Sequence, residues 1–567
     1  MSDQITKDWA LYESGKKYNE RLEPPYYETV NANIDFHAGN QWRNSEASGL
    51  MKPVFNIIKR VLTFFVASLT TSKVAIQFEP LTNSNSNSPD EFTPSDLAGA
   101  EIENLFEKFM MENRIRDALT QAAVKGDVAA HIYFDPAKKP YRGQLGDVEG
   151  EICFELVSGT NVFFGNANNP DVAVQPYIII SGRDMVSNLQ AEAKRHKEQA
   201  DQISEDTDYH DESGEAGQIE VEADGYGKAL YVIKYERDPK TQRIKVSKSV
   251  RNAYVYKDID TGLDYYPIAW LPWEKQDNQY HGRALVTGII PNQIFINKMF
   301  AMVMYNLMMT AFPKAVYNAD YINGWSNEIG TAIGVRGVDI NAPIKNLAGY
   351  LEAGNMSSQI TQVIEMAMSY TKDTLGISDV SLGNVKPNNT SAIIAVQKST
   401  VIPLENIRAN MYEWLERIAQ ILVDMMGTYY GNRPVVVNHM GQRRMVNFDF
   451  NIFKGLWLNA KVDIGESSYW SQITAIQTLD NLLNAGHIDI VMYLERLPDG
   501  YIANKQEMIN EIKEMREAAN KQPQYESMAQ WLEQQPPEIQ QQIMSLPPEQ
   551  QEQAIQQMMS QAPPMAM

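Results

Sequence analysis

One cysteine in 567 residues, Cys153, leaves no partner for a disulfide within the chain. The fold must therefore rest on packing and hydrogen bonding, and such sparing use of cysteine fits a reducing compartment. Long apolar runs are also missing. The two best, Val61–Leu69 and Met299–Phe312, fall short of the roughly 20 residues a bilayer helix needs, and Lys298 and Asn306 weaken the second further. No surplus of positive charge is present either: 50 Lys and Arg against 71 Asp and Glu give a formal charge of −21. That is the opposite of the basic patch of a general duplex binder, although a channel through which a polyanion slides works best without adhesion. The opening MSDQITKDWALYESGKKYNE has no basic segment followed by an apolar one, so no secretory leader is expected there.

Catalytic signatures are missing as well. There is no G-x-x-x-x-G-K-[ST] phosphate loop, no H-E-x-x-H, no C-x-x-C and no G-x-S-x-G. The seven histidines, at 37, 131, 196, 210, 281, 439 and 487, are scattered without metal-ligand spacing. Cys153 lies within ICFEL, where a buried structural thiol is expected rather than a nucleophile. Abundant carboxylates single out no acid–base pair. The chain reads as a non-enzyme without metal or cofactor.

What is there is length enough for several domains and an ordinary apolar fraction of 44%. Residues 5–38 read as one or two helices separated by Pro24-Pro25. Lys52–Gln77 reads as a helix with a strand-like end, and LTNSNSNSPDEFTPSD as a polar loop. Helical spacing returns over 96–125. From 127 to 270 the pattern is β-rich, with runs at HIYF, ICFELV, VFFG, YIII, ALYVIKYE and YVYKDI. Within it, KRHK (Lys194–Lys197) precedes a stretch, Glu198 to Gly227, with eleven Asp or Glu and no Lys or Arg. An interaction or metal-binding loop is one reading. A solvated insertion is preferred, because blocks of like charge repel and stay hydrated and EDTDYHDESGE lacks the spacing of a calcium loop.

The block Gln279–Gly431 is the most informative. Asn292–Phe312 is apolar around nearly its whole circumference and, as a helix, would span about 31 Å. A soluble protein buries such a helix against other helices, and neighbouring copies can supply what one chain lacks. Its five methionines within Met299–Met309 read as flexible core filler, with adaptable contacts between subunits as the alternative that the same property would serve. A small β-like insert follows, then a second helix over Met356–Leu375, a loop ISDVSLGNVKPNNTS, and a third helix from Ser391 that Pro403 should kink. Beyond Pro403, Leu404, Ile407, Met411, Trp414, Ile418, Ile421 and Met425 recur at steps of three and four as an apolar seam. Gly431 and Pro434 are expected to close that helix. PVVVNHMGQRRMVNFDF reads as a hairpin, Trp457–Ile464 as a strand, and 468–518 as helical. The end, from Lys521, is rich in Gln, Pro and Met, with PPEIQQQIMSL and PPEQQEQAIQQ as short helices or a partly ordered extension.

YNERLEPPYYETVNANIDFHAGNQW, YHGRALVTGIIPNQIFINKM and LGNVKPNNTSAIIAVQK together make residues 10 to 520 resemble a tailed-bacteriophage portal protein. The resemblance implies an α+β portal fold, predominantly helical with a β-rich wing and clip, assembled as a twelve-fold ring around a central channel at one capsid vertex of the virion after assembly in the bacterial cytoplasm. It maps the wing to 1–282 with return strands at 432–465, the stem helices to 283–313 and 356–376, and the clip to 314–355. The tunnel loop falls at 377–390, the channel helix at 391–431, the crown at 466–525 and a tail at 526–567. Implied partners are the terminase large subunit, a head–tail adaptor, major capsid and scaffolding proteins, and double-stranded DNA passing non-specifically; no membrane is implied. Lys386, Asn388 and Asn389 of the tunnel loop are the candidate phosphate contacts, with turn geometry and helix capping the equal alternative for the two asparagines. Arg336 and Lys345 are candidate partner contacts in the clip, or else solvent-facing charges. The rival reading is another ring-forming head–tail connector or adaptor without motor docking.

Overall fold

The computed structural model describes residues 2–43, 51–70, 74–80, 93–139, 149–206, 227–311, 315–320, 333–336, 348–350, 358–374, 404–439, 442–455, 458–464 and 469–497, together with 502, 505, 508–513, 515–516, 532 and 536–544. The chain divides into two compact units, Met1–Gly465 and Glu466–Met567.

The first unit opens with α1 (Ser2–Arg21) and α2 (Tyr26–Ala38), on either side of Pro24-Pro25. The helix α3 (Ile57–Leu69) is capped by Asn56, whose side chain accepts from the Lys59 N–H, and it leads to β1 (Val74–Pro80). The helical spacing over 96–125 forms two helices, α4 (Pro94–Lys108) and α5 (Met111–Lys125), broken at Met110, where φ is +52°. Thr93 and Asp96 close a capping box that satisfies two orphan N–H groups at the start of α4.

The β-rich region holds β2 (Asp127–Asp135), β3 (Glu151–Ser158), β4 (Val162–Phe164), β5 (Tyr177–Met185), α6 (Val186–Arg195), β6 (Lys228–Arg237), β7 (Ile244–Val250), β8 (Tyr254–Asp260) and β9 (Ile268–Pro272). All six apolar runs read from the sequence lie in strands. The sequence reading did not single out α6, β7 or β9. The strand β7, with the two Lys and two Ser of KVSKS, reads as polar, but Lys248 is ion-paired to Glu192 at 2.7 Å and covers the Tyr231 ring. Lys194 and Arg195 of KRHK end α6, where cations favour the carbonyl end of a helix.

Next come α7 (Leu285–Ala311), β10 (Ala315–Asn318), β11 (Ile333–Val335), β12 (Ala348–Tyr350) and α8 (Ser358–Thr374). The unit closes with α9 (Glu405–Tyr429), β13 (Asn432–His439), β14 (Gln442–Asp449) and β15 (Leu458–Ile464). Gly431, at φ +58°, turns the chain out of α9 as expected. Pro434 does not close that helix: it lies within β13, opposite Asn447. A two-stranded hairpin consists of edge strands, where a missing N–H is tolerated. Ser391 and Pro403 fall outside the described residues. In the second unit lie α10 (Tyr469–Asn484), α11 (Ile490–Arg496) and α12 (Pro537–Met544), the last being one of the two short helices expected in the Gln- and Pro-rich end.

Two antiparallel sheets carry the β-rich part, one in the order β4-β5-β6-β7-β8 and the other β3-β2-β9. The strands β1 and β15, far apart in sequence, pair from Val74 against Ile464 to Pro80 against Leu458. The main core joins α3, α4, α5, β2, β9 and the start of α7 around α9, whose seam residues Met411, Trp414, Ile418, Ile421 and Met425 are buried. Trp414 is enclosed completely and donates Nε1–H to the Ala269 carbonyl at 3.1 Å, so its single polar atom is satisfied. A second core fills the space beneath the five-stranded sheet. On another face, Trp9 and Tyr12 of α1 pack against Phe163, Ile179 and Val232. There Lys234 forms a buried pair with Asp8 at 2.7 Å, and Tyr254 donates to the other Asp8 oxygen at 2.9 Å, which locks α1 to the sheet.

Candidate functional site

The segment leading into α7 is fixed by a buried polar hub. Asp127, fully buried at the start of β2, accepts from the Tyr26 hydroxyl at 2.9 Å and from the Gly282 N–H at 3.1 Å, and lies 2.9 Å from His281 Nδ1. His281 Nε2 lies 3.0 Å from Asn19 Oδ1, and the Tyr26 ring stacks on the imidazole at 3.7 Å. Burial, then the charge of Asp127, pushes the Tyr26 hydroxyl far above its usual range, so it stays a donor. Gly126 is needed here because φ is +107° and a β-carbon would meet the Gly282 carbonyl oxygen at 2.4 Å. Every side-chain polar atom of Asp127 and His281 has a partner, so the hub is a joint between α1, α2, β2 and the base of α7. Its members are separated by up to 262 residues. No spacing rule picks them out.

Above the joint, α7 is held by three further polar side chains. Thr287 exchanges hydrogen bonds with Asn33, whose Nδ2 donates at 2.9 Å. Gln293 accepts from the Ile57 N–H at 3.0 Å and donates to the Phe55 carbonyl at 2.8 Å and to Asn297 at 2.9 Å. Asn297 in turn donates to Gln41 at 2.5 Å. Val286, Ile289, Ile296 and Ala301 are buried between them. The helix starts upstream of the apolar run at Asn292 and takes Pro291 inside it.

Beyond Ala301 this covering stops. Leu307, three turns further along the stripe of Ile289 and Ile296, is exposed, and so is Met308, two turns beyond Ala301. On the opposite face, Phe295 and Met302 are exposed over the length of the helix, Met302 to 63%. The helix α8, which packs against α7, repeats the pattern. Ile364 and Thr371 are buried, while Val363, Met366 and Tyr370 form an exposed stripe, Tyr370 to 62%. Isolated exposed apolar side chains are ordinary, but a continuous set on two paired helices marks an interaction surface.

Between the two helices, β10 forms the middle of a three-stranded sheet, parallel to β11 and antiparallel to β12. Arg336 follows β11 and is exposed, its Nε 3.9 Å from Asp320 Oδ1. Lys345, Lys386, Asn388 and Asn389 lie outside the described residues, as does most of the acidic run. The described start of that run is anchored: Asp206 accepts from the Leu230 N–H at 2.9 Å and lies 3.4 Å from the Arg183 guanidinium.

Among the described residues, no cluster of His, Cys, Asp or Glu has the arrangement of a metal site, and no helix is long and apolar enough to cross a membrane. Cys153 is buried within β3, and Lys138 donates to its sulfur at 3.1 Å. Burial raises its thiol pKa, which disfavours the nucleophilic thiolate.

A search of curated proteins returns no match. The family of Phage P22-like portal proteins matches residues 180–567, a range that includes the acidic run, α7, α8 and α9 and extends through the Gln- and Pro-rich end that the sequence reading had set apart. With well over half of its length matched, the chain belongs to the Phage P22-like portal protein family.

Proposed function

We propose that twelve copies of this chain form a ring at one capsid vertex, whose channel passes double-stranded DNA during packaging and ejection. The observation that carries this reading is the uncovered apolar surface of α7 beyond Ala301 and of α8. One chain covers one side of α7 and only its first half, and a neighbour in a closed ring covers the rest.

On this reading α7 and α8 are the stem that crosses the shell, and the sheet β11-β10-β12 belongs to a clip, 314–355, exposed outside it. The clip docks the terminase motor and then the head–tail adaptor, with Arg336 and Lys345 as contacts. The wing, 1–282 with 432–465, faces major capsid and scaffolding proteins, and the crown, 466–525, lies inside the head. Residues 377–390 form the tunnel loop, where Lys386, Asn388 and Asn389 touch passing phosphates transiently; nothing in that set reads base edges. A net charge of −21 keeps the wall non-adhesive to a polyanion.

Two measurements test the reading. Purified protein should give rings with a central hole in negative stain and a mass near twelve copies by sedimentation. Met302→Asp combined with Leu307→Asp should yield folded monomers. A wild-type chain that stays monomeric at assembly concentrations, or rings unaffected by the double variant, would overturn it. Deleting residues 384–389 should leave rings intact and abolish DNA-filled particles.

A further inference from the structure

A ring closed by rotation joins two different patches of the same chain, so the exposed stripe on α8 requires a complementary surface elsewhere. We propose that Val363, Met366 and Tyr370 of α8 dock on the segment Met51–Phe55 of the neighbouring copy; this rests on the ring reading above and names the surface that completes it.

Three observations converge. The segment turns three apolar side chains outward beside Lys52: Met51, Val54 and Phe55 are all exposed. It is also held in place, because Gln293 bonds the Phe55 carbonyl and the Ile57 N–H, and the Phe55 ring lies 4.3 Å from Phe300 of α7. A pre-ordered apolar segment loses little freedom on docking.

The second observation is that the two patches lie on paired helices. The strand that follows α7 pairs antiparallel with the strand that precedes α8, and α8 packs against α7, on which the Phe55 ring rests. A rotation about an axis along the two helices carries α8 of one copy toward α7 of the next.

Charge is the third. Lys52 within the segment and Lys59 and Arg60 in the first turn of α3 are exposed, while α8 exposes Glu365 and Asp373, with Lys372 half-buried beside Asp373. Opposite charges around two apolar patches steer them together and disfavour self-pairing of either patch.

The test uses the full chain with Cys153 left in place. Val54→Cys and Tyr370→Cys are combined in one chain, and assembled rings are treated with a short bis-maleimide. Denaturing electrophoresis should show a ladder climbing to the full ring, and each single variant should stay at one copy. Separately, Arg60→Glu should lower the ring fraction several-fold at low salt, with Glu365→Lys in the same chain restoring it. Rings that give no ladder and ignore the charge exchange would overturn this pairing and leave the ring standing. A ladder stopping at two copies would overturn the head-to-tail contact, and a wild-type chain without rings would fail the ring reading itself.

Discussion

The two halves of α7 are similarly apolar in sequence and opposite in environment. From Leu285 to Ala301 the helix carries Thr287, Gln293 and Asn297 on its inner face, each paired with a group from α2, the segment before α3, or Gln41. From Met302 onward Met302, Tyr305, Leu307 and Met308 are exposed, with Val303 and Met304 half-buried between them. Buried polar groups fix one geometry, because any displacement leaves them unpaired, whereas methionine and leucine tolerate sliding against a new partner. The lower half is a joint belonging to the monomer. The upper half is a surface that the chain leaves uncovered, the one the proposed ring would bury.

Breaking the joint should have the largest effect on stability. Asp127→Ala removes the acceptor for Tyr26, Gly282 and His281 together and should cost about 3–5 kcal/mol, read as an earlier denaturant midpoint for the unit Met1–Gly465. A smaller loss, about 1–3 kcal/mol, is expected for Gln293→Leu, which strands the Ile57 N–H and the Phe55 carbonyl.

Acidity sharpens the comparison from the other side of the core. Asp424 on α9 accepts from the Asp264 and Tyr265 N–H groups at 2.8 and 3.0 Å, yet burial raises its pKa from 3.8 to about 6. A folded-state pKa above the unfolded value favours the protonated acid in the fold. The associated stability is present below about pH 4, declines as pH rises through about 6, and is absent above. Asp424→Asn keeps an acceptor oxygen, so it should flatten this slope and gain about 1–2 kcal/mol at pH 7, measured as melting temperature against pH.

The smallest effect on monomer stability should come from the exposed half. Met302→Ser with Leu307→Ser should change the unfolding free energy of unassembled protein by no more than about 0.5 kcal/mol, while the ring fraction seen by sedimentation collapses. A large loss of monomer stability would instead place those side chains in the chain's own core.

Much of the architecture was legible because it depends on local rules. Pro24-Pro25 split the N-terminal helices, period-two runs gave six strands, and steps of three and four along Leu404–Met425 marked the buried seam of α9. Pro434 misled because a proline three residues past a helix-ending glycine looks the same whether a loop or an edge strand follows. The joint was illegible for a different reason. Asn19, Tyr26, Asp127 and His281 are brought together by the packing of α1, α2 and β2, and nothing about each residue in its own segment announces the other three.

By itself the sequence determined that no disulfide forms within the chain, that Asn292–Phe312 is apolar around nearly its whole circumference, and that helix, small sheet and helix follow one another between Asn292 and Leu375, since composition and periodicity act over a few residues. Only the tertiary structure decided which side and which half of that helix the chain covers for itself. Coverage depends on where α2, α3 and the hub at Asp127 happen to end, and that is set by contacts between residues hundreds of positions apart.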